Sequence, residues 1–285
     1  MSIGLILEGG GNRGAYTAGV LDVLSENNIF VPITYAVSAG ACNAMSYLSK
    51  QPKRNYRIFT EYAADKRYSS FRNLRKTGSL FGFDFIFGEL ADELLPFDYK
   101  EFNRTSMKLI AIATDCQTGK PVFFDNEDIK ESLKPLIASA SLPVIANMVE
   151  YKGYKLLDGG VSASIPIEYA LKQGVTKNIV VLTRDKNYVK KDKPDFPEFI
   201  LKRKYKDYPA LVEALLNRAK IYNAERELCY REQDKGNAII IEPSQPINVK
   251  RQCRDSSEME RLYKLGYDDA HKKLVEINRF IALNG

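Results

Sequence analysis

The chain has 285 residues, with 42 lysines and arginines against 36 aspartates and glutamates, a formal net charge of +6. This balance is too weak to indicate a nucleic-acid-binding protein, and the hydrophobic content of 45% is ordinary for a chain that buries a sizeable core. Four scattered cysteines and the single histidine, His271, give no zinc-ligand or disulfide pattern.

The predicted elements begin with the strand Ile3–Leu7 and the helix Ala15–Leu24, followed by the strand Ile33–Val37 and the helix Ala41–Leu48. This alternation is typical of a parallel α/β sheet. Further strands are predicted at Lys108–Ala113, Tyr154–Leu157, Asn178–Leu182 and Ala238–Ile241. We also predict a helix over Ile129–Ser139, an irregular aromatic segment over Lys50–Lys100, a charged loop over Asp185–Asp207 and mostly helix from Tyr208 onward.

The first apolar run stops at Glu8, which is too short for a signal peptide. No run approaches the roughly 18 apolar residues of a membrane-spanning helix. We therefore expect a cytoplasmic protein.

A glycine loop, Gly9–Gly14 with the sequence GGGNRG, joins the first predicted strand to the first helix. Such a loop presents backbone N–H groups beside the positive end of a helix, where anions bind. The spacing of Gly9, Gly11 and Gly14 also satisfies the dinucleotide pattern, but the acidic residue expected at the end of the next strand is missing, and no Walker lysine follows. The loop therefore binds either a ligand phosphate or a transient oxyanion.

The second motif, Ala36-Val37-Ser38-Ala39-Gly40, lies where the next strand ends. Its spacing matches a nucleophile elbow, with alanine in place of the first glycine. The alternative is that Ser38 only caps the helix that follows.

The third motif is Asp158-Gly159-Gly160, at the end of another strand. Alone it indicates a turn, although the glycines would also allow close approach of a substrate.

The presence of a single histidine helps to distinguish a catalytic triad from a catalytic dyad. A Ser-His-Asp triad would need His271, and the order Ser38, Asp158, His271 does occur in α/β-hydrolases. However, Ser38 comes too early in the chain for that fold, and His271 occupies a polar position on an amphipathic helix. The remaining arrangement is a Ser-Asp pair with a glycine loop that stabilises the oxyanion.

The three motifs, in this order, resemble those of the patatin-like phospholipases. The segments "IAIATDCQTGKPVFF", "IASASLPV" and "DGGVSASIPIEYALKQG" are similar to further segments of that family, so the resemblance extends from Ile3 to Thr183. The resemblance implies a central, mainly parallel sheet flanked by helices in an α/β fold. It divides the chain into a catalytic domain, 3–183, and a mostly helical region, 184–285, packed on it.

The resemblance also assigns roles. Ser38 would attack the ester carbonyl and Asp158 would take its proton, with no metal or cofactor. Gly10 and Gly11 would donate backbone N–H groups to the oxyanion, and Gly9, Gly14, Gly40, Gly159 and Gly160 complete the family motifs. Arg13 either anchors the loop, meets a substrate phosphate or is an ordinary structural arginine.

The function implied is hydrolysis of carboxylic esters in phospholipids or other acyl lipids. Two alternatives stay open: an acyltransferase or thioesterase that uses the same site, and a non-enzymatic protein that binds anionic ligands.

A peripheral membrane contact is predicted because bilayer lipids must be reached at their surface. The stretch Phe196–Lys206 carries apolar side chains together with Lys202, Arg203, Lys204 and Lys206, which suit anionic head groups. A solvated charged loop is the alternative, and the aromatic segment Phe81–Phe87 is a second candidate for docking.

Overall fold

The computed structural model describes residues 3–249 and 253–284. The strands are β1 (Ile3–Leu7), β2 (Ile33–Val37), β3 (Lys108–Asp115), β4 (Pro121–Phe124), β5 (Val149–Tyr151), β6 (Tyr154–Asp158), β7 (Lys177–Val181) and β8 (Ala238–Ile241). The α-helices are α1 (Gly14–Glu26), α2 (Ala39–Leu48), α3 (Arg54–Arg57), α4 (Phe71–Thr77), α5 (Tyr99–Arg104), α6 (Asn126–Glu131), α7 (Lys134–Ser139), α8 (Ile167–Lys172), α9 (Glu198–Lys204), α10 (Pro209–Asp234), α11 (Ser256–Lys272) and α12 (Leu274–Asn284). Short 3-10 turns cover Gly11–Arg13 and Gly159–Val161, and π-helical segments cover Ile58–Tyr62 and Phe85–Leu94.

The strands form one sheet in the order β5-β6-β3-β2-β1-β7-β8, with β4 also paired to β3. The run from β3 through β2, β1 and β7 to β8 is parallel, whereas β4, β5 and β6 join antiparallel. The predicted fold class, a mainly parallel sheet in an α/β protein, is therefore confirmed.

Helices cover both faces of the sheet. On one face, α1, α2, α11 and α12 pack on alternate residues of the central strands, such as Leu5 and Leu7. On the other face, α8 and α10 pack on the intervening residues, such as Ile6 and Val180. Because buried parallel strands have apolar residues on both faces, these strands are continuous hydrophobic runs in the sequence.

The helices α1 and α11 cross where a glycine of each helix lies against the backbone of the other helix. A Cβ atom on Gly19 would lie 2.1 Å from the Tyr263 carbonyl oxygen, and one on Gly266 would lie 2.0 Å from the Tyr16 carbonyl oxygen. The two backbones are therefore in direct contact, and neither position has room for a side chain.

Four predicted elements need correction. The segment over 50–100, predicted as irregular, contains α3, α4 and both π-helical segments. The helix over 129–139 is two helices, α6 and α7, because Pro135 lies in the first turn of α7 and cannot continue an earlier helix. The charged loop over 185–207 contains α9, which begins directly after Pro197. The helix predicted from Ala41 begins earlier, at Ala39, and β5 was not predicted.

Candidate active site

Ser38 lies on a sharp turn between β2 and α2. Its backbone has φ 55° and ψ −126°, a left-handed conformation that is unusual for a residue with a side chain. The Ser38 N–H donates to Ser139 Oγ at 2.8 Å, and its carbonyl accepts from the Cys42 N–H at 3.1 Å, so both backbone groups are held. The small neighbour Gly40 is required, because a Cβ atom there would lie 2.9 Å from the Leu7 carbonyl oxygen.

The sheet register brings Asp158 to this turn. Val37 pairs with Ile112 on one side of β3, and Asp158 pairs with Ala113, the next residue, on the other side. Ser38, which follows Val37, and Asp158 therefore lie at the same level of the sheet, and they approach each other across β3. Ser38 Oγ donates a hydrogen bond of 2.7 Å to Asp158 Oδ2, and both residues are buried. Within the described chain, the Ser38 side chain makes no capping bond to α2.

The carboxylate of Asp158 is fixed by the turn that follows it. Its second oxygen, Oδ1, accepts from the Gly160 N–H at 2.7 Å, and its main-chain carbonyl accepts from Thr114 Oγ1 at 2.9 Å. Gly159 packs against β3, where a Cβ atom would lie 2.2 Å from the Ile112 carbonyl oxygen. Asp158-Gly159-Gly160 can therefore form a turn and also serve the catalytic hypothesis. One carboxylate oxygen of Asp158 stabilises the turn, and the other faces Ser38.

The glycine loop lies beside this pair. A Cβ atom on Gly9 would lie 3.2 Å from Ser38 Cβ, and one on Gly14 would lie 3.0 Å from Ala39 Cβ. Gly11 has φ 56°, a conformation that favours glycine. Across residues 3–249 and 253–284, the N–H groups of Gly10 and Gly11 donate to no protein acceptor. Two backbone donors thus remain for a ligand beside Ser38.

A buried contact that the sequence motifs did not reveal holds the start of this loop. Glu8 accepts from the Thr183 N–H at 2.6 Å through Oε2 and from the Tyr222 hydroxyl at 2.9 Å through Oε1. Burial and the nearby Glu8 raise the pKa of Tyr222 well above its ordinary value, so its hydroxyl stays a donor. Nothing local to Tyr222 in the sequence indicates this contact, because 214 residues separate the partners.

A narrow cavity of about 80 Å³ opens beside Ser38. Its walls combine Gly11, Ser38 and Leu142 with aromatic and aliphatic side chains of the segment 58–87, namely Ile58, Phe59, Tyr68, Phe81, Phe83, Ile86 and Phe87. The predicted aromatic segment therefore covers the cleft with side chains suited to a hydrocarbon chain.

Cys42 also lines this cavity, but burial and the neighbouring Asp158 charge raise the pKa of its thiol to about 12. The Cys42 thiol is therefore protonated at neutral pH and is not present as the nucleophilic thiolate. His271 lies on the exposed face of α11, where its ring stacks on Tyr267, and it contacts neither Ser38 nor Asp158 through any hydrogen bond in the described residues.

Arg13 ends the 3-10 turn of the glycine loop and is buried, with 6% of its surface exposed. It lines a second cavity rather than the one beside Ser38.

Among residues 3–249 and 253–284, no three histidine, cysteine or acidic side chains form a metal-binding cluster. None of the helices in this part of the chain combines the length and apolar character needed to cross a membrane.

Comparison with known proteins places this geometry in context. Residues 5–171 match the family model of the patatin-like phospholipases, and residues 208–282 match a domain of unknown function (DUF6363). A crystal structure of VipD from Legionella pneumophila aligns over 96% of this chain and 67% of its own, with 14% identity and a TM-score of 0.47.

Three curated relatives share this region. The Escherichia coli protein YjjU, described as uncharacterized, is 28% identical over 64% of this chain and 52% of its own length. The probable lipid hydrolase 463L of Invertebrate iridescent virus 6 is 29% identical over 61% of this chain and 65% of its own. Lysophospholipase NTE1 of Candida albicans is 27% identical over 63% of this chain and 13% of its own. The chain thus spans about half to two thirds of the first two relatives and a small part of the third. The family model nevertheless covers more than half of the chain, and the family predicted from the motifs is confirmed: the chain belongs to the patatin-like phospholipase family.

Proposed function

We propose that this protein is a serine lipid acyl hydrolase that cleaves carboxylic esters of phospholipids or related acyl lipids through a Ser-Asp dyad. The observation that carries the proposal is the 2.7 Å hydrogen bond from Ser38 Oγ to Asp158 Oδ2 beside an apolar cavity. Family membership and the relatives named lipid hydrolase and lysophospholipase support the same reaction class.

In this mechanism, Ser38 Oγ attacks the ester carbonyl carbon while its proton passes to Asp158 Oδ2. The tetrahedral intermediate collapses, the ester C–O bond breaks, and the leaving alcohol takes the proton from Asp158. Water then attacks the acyl-Ser38 ester and gives a proton to Asp158. The bond between Ser38 Oγ and the acyl carbon breaks, Asp158 returns the proton to Ser38 Oγ, and the fatty acid is released. The bond from Gly160 N–H to Asp158 Oδ1 supports this role because it keeps Oδ2 directed at Ser38 in each step.

The negative charge of the tetrahedral intermediate would be stabilised by the N–H groups of Gly10 and Gly11. Both donors lie on the glycine loop packed against Ser38 and have no protein acceptor in the described chain. Because the loop is tied down by Glu8, these donors need no reorganisation when charge develops, which is the condition for effective oxyanion stabilisation.

We further propose peripheral contact with an anionic membrane surface through α9 and α4. Phe199 on α9 and Phe71 on α4 are 71% and 78% exposed. Basic residues surround both, namely Lys202, Arg203, Lys204 and Lys206 near α9 and Arg72, Arg75 and Lys76 on α4. Such a mixture of apolar and basic side chains suits the surface of an anionic bilayer.

The two helices flank the loop 142–147 that lies beside the cavity. Lys204 Nζ donates to the Val144 carbonyl at 2.9 Å on the α9 side, and the Leu80 N–H, just after α4, donates to the Ile145 carbonyl at 2.8 Å. Contact through this face would therefore present the cavity toward the lipid.

We also propose that residues 3–183 form the catalytic unit and that 184–285 is a mostly helical region packed on it. The contacts that support this division are those of α10 and α11 on opposite faces of the sheet.

The proposed reaction can be tested by incubating the protein with a long-chain fluorophosphonate and measuring its intact mass. We expect one adduct per chain in the native protein and none in Ser38→Ala, which should also fail to hydrolyse a p-nitrophenyl ester while it keeps its thermal stability. A Ser38→Ala protein that still turns over the ester would contradict the assignment. Turnover only in the presence of an acceptor alcohol or of a thioester substrate would identify the acyltransferase or thioesterase alternative.

A further inference from the structure

A second cavity of about 550 Å³ lies next to the cavity beside Ser38. Its walls combine basic and apolar side chains from distant parts of the chain. The lining residues used below are Arg13, Leu142, Arg184, Lys190, Asp195 and Arg218.

The walls carry an excess of positive charge. Among the described residues, four lining side chains are basic, Arg13, Arg184, Lys190 and Arg218, and the lining carboxylate is that of Asp195. Asp195 forms ion pairs with both Lys190, at 3.0 Å, and Arg218. Basic groups thus outnumber acidic groups among these lining side chains, and such a lining favours an anionic ligand.

Arg184 provides a second, independent observation. Its guanidinium lies over the Tyr188 ring at 4.6 Å, and its Nη1 donates to the Ile247 carbonyl. Its Nε is buried and, within the described residues, donates to no acceptor. Arginine forms strong charge-assisted hydrogen bonds to phosphate oxygens, and a ligand would reach the Arg184 guanidinium through the part of the side chain that lines the cavity.

The basic cavity adjoins the apolar one. Leu142 lines both, and Arg13 belongs to the same 3-10 turn as Gly11, which lines the apolar cavity. A ligand that spans Leu142 would place a charged group among the arginines while its hydrocarbon chain lies beside Ser38.

We propose that the basic cavity binds the phosphate of an anionic phospholipid whose acyl ester is cleaved at Ser38. This inference rests on the proposed hydrolase function and specifies its substrate class. The excess of cations favours a phosphomonoester, as in phosphatidate or lysophosphatidate, over a phosphodiester, because a monoester carries nearly two negative charges at neutral pH.

The test compares octanoyl lysophosphatidate with octanoyl monoacylglycerol, both as monomers in solution so that surface docking does not contribute. The readout is the ratio of the two kcat/KM values. We expect Arg184→Gln to lower this ratio about ten- to hundredfold, the range for loss of charge-assisted hydrogen bonds, and Arg184→Lys to restore part of it. Arg261→Gln is the matched control, since Arg261 lies on the exposed face of α11 and pairs with Glu258. An unchanged ratio in Arg184→Gln would overturn the proposal.

A binding measurement separates failure of this inference from failure of the hydrolase proposal. Calorimetric titration of Ser38→Ala with glycerol 3-phosphate requires no turnover, and we expect binding that Arg184→Gln weakens and Arg261→Gln does not. If glycerol 3-phosphate binds but lysophosphatidate is not preferred over monoacylglycerol, the cavity serves a free phosphate ester rather than the substrate, and the substrate assignment is wrong. If glycerol 3-phosphate does not bind and the ratio is unchanged, the cavity is not a phosphate site, whatever esters Ser38 hydrolyses.

Discussion

Residues 3–183 and residues 184–284 contribute to the site in different ways. The first region provides each proposed catalytic group from the end of a strand: the glycine loop after β1, Ser38 after β2 and Asp158 at the end of β6. The second region provides no group of the dyad, but it supplies Tyr222 beneath the glycine loop and Arg184 and Arg218 around the basic cavity. In the proposed mechanism, the reaction would depend on short local motifs, whereas positioning and substrate choice would depend on side chains remote in sequence.

The largest effect is expected where the first region alone carries the chemistry. Asp158→Asn should lower kcat for a soluble ester about 10²- to 10⁴-fold, because an amide still fits the turn but cannot take the Ser38 proton. His271→Ala should leave kcat within about twofold, since a solvent-exposed ring of α11 takes no part in a dyad. A folded His271→Ala protein without activity would show that the mechanism is a triad.

A smaller effect is expected where the second region meets the membrane. Replacing Lys202, Arg203 and Lys206 by glutamine should weaken binding to anionic vesicles about a hundredfold at low salt, since each basic residue near the surface contributes about 1 kcal/mol. Lys204 is left intact because it also holds the Val144 carbonyl. Vesicle co-sedimentation measures the effect, and glutamine at Arg261, Lys264 and Lys272 of α11 is the charge-matched control. Binding that responds neither to the α9 changes nor to salt would place docking elsewhere, with Phe81–Phe87 as the next candidate.

The close crossing of α1 and α11 leads us to expect that residues 3–183 and 184–284 depend on each other for stability. Gly266→Ala should lower the free energy of unfolding by about 3 kcal/mol, because the new methyl group would overlap the Tyr16 carbonyl and force two backbones apart. Gly19→Ala should have a similar effect from the other helix. Urea denaturation checks both, with Lys264→Ala, on the exposed face of α11, as the control that should change little. Unaltered stability in both glycine variants would mean that the helices pack less closely than described.

The smallest effect is expected from the contact that joins the regions at the site. Tyr222→Phe removes the hydroxyl donor to Glu8 and should cost about 1.5 kcal/mol of stability, as a buried carboxylate oxygen loses its partner. Ester hydrolysis should fall only a few fold, because Glu8 keeps the Thr183 N–H. Comparing kcat with the urea midpoint shows whether this contact orders the glycine loop or only stabilises the fold.

The fold class and the candidate dyad could be predicted from the sequence because each signal is local. The strands are short apolar runs, and Ser38, Asp158 and the glycine loop all lie within a few residues of a strand end. Glu8 was visible only as the residue that ends the first run. Its partner Tyr222, and the arginines of the basic cavity, could not be predicted, because one sequence does not show how a helix packs over a sheet edge.

The elements that the sequence predicted incorrectly also have physical explanations. The apolar periodicity continues across Pro135, so periodicity alone predicted one helix where the structure has α6 and α7. The helix α9 is a short, strongly charged segment, and packing of its buried Leu201 stabilises it more than helix propensity does.

The glycine contact between α1 and α11 also bears on how the chain reaches its fold. Helix α1 follows the glycine loop directly, yet the surface it packs on begins about 240 residues later, and β8 likewise joins the sheet beside β7 from late in the chain. A domain dominated by such distant contacts has a high contact order and folds slowly. During synthesis, one side of α1 therefore remains uncovered until α11 has left the ribosome, and that apolar surface is exposed to chaperones or to aggregation throughout that interval.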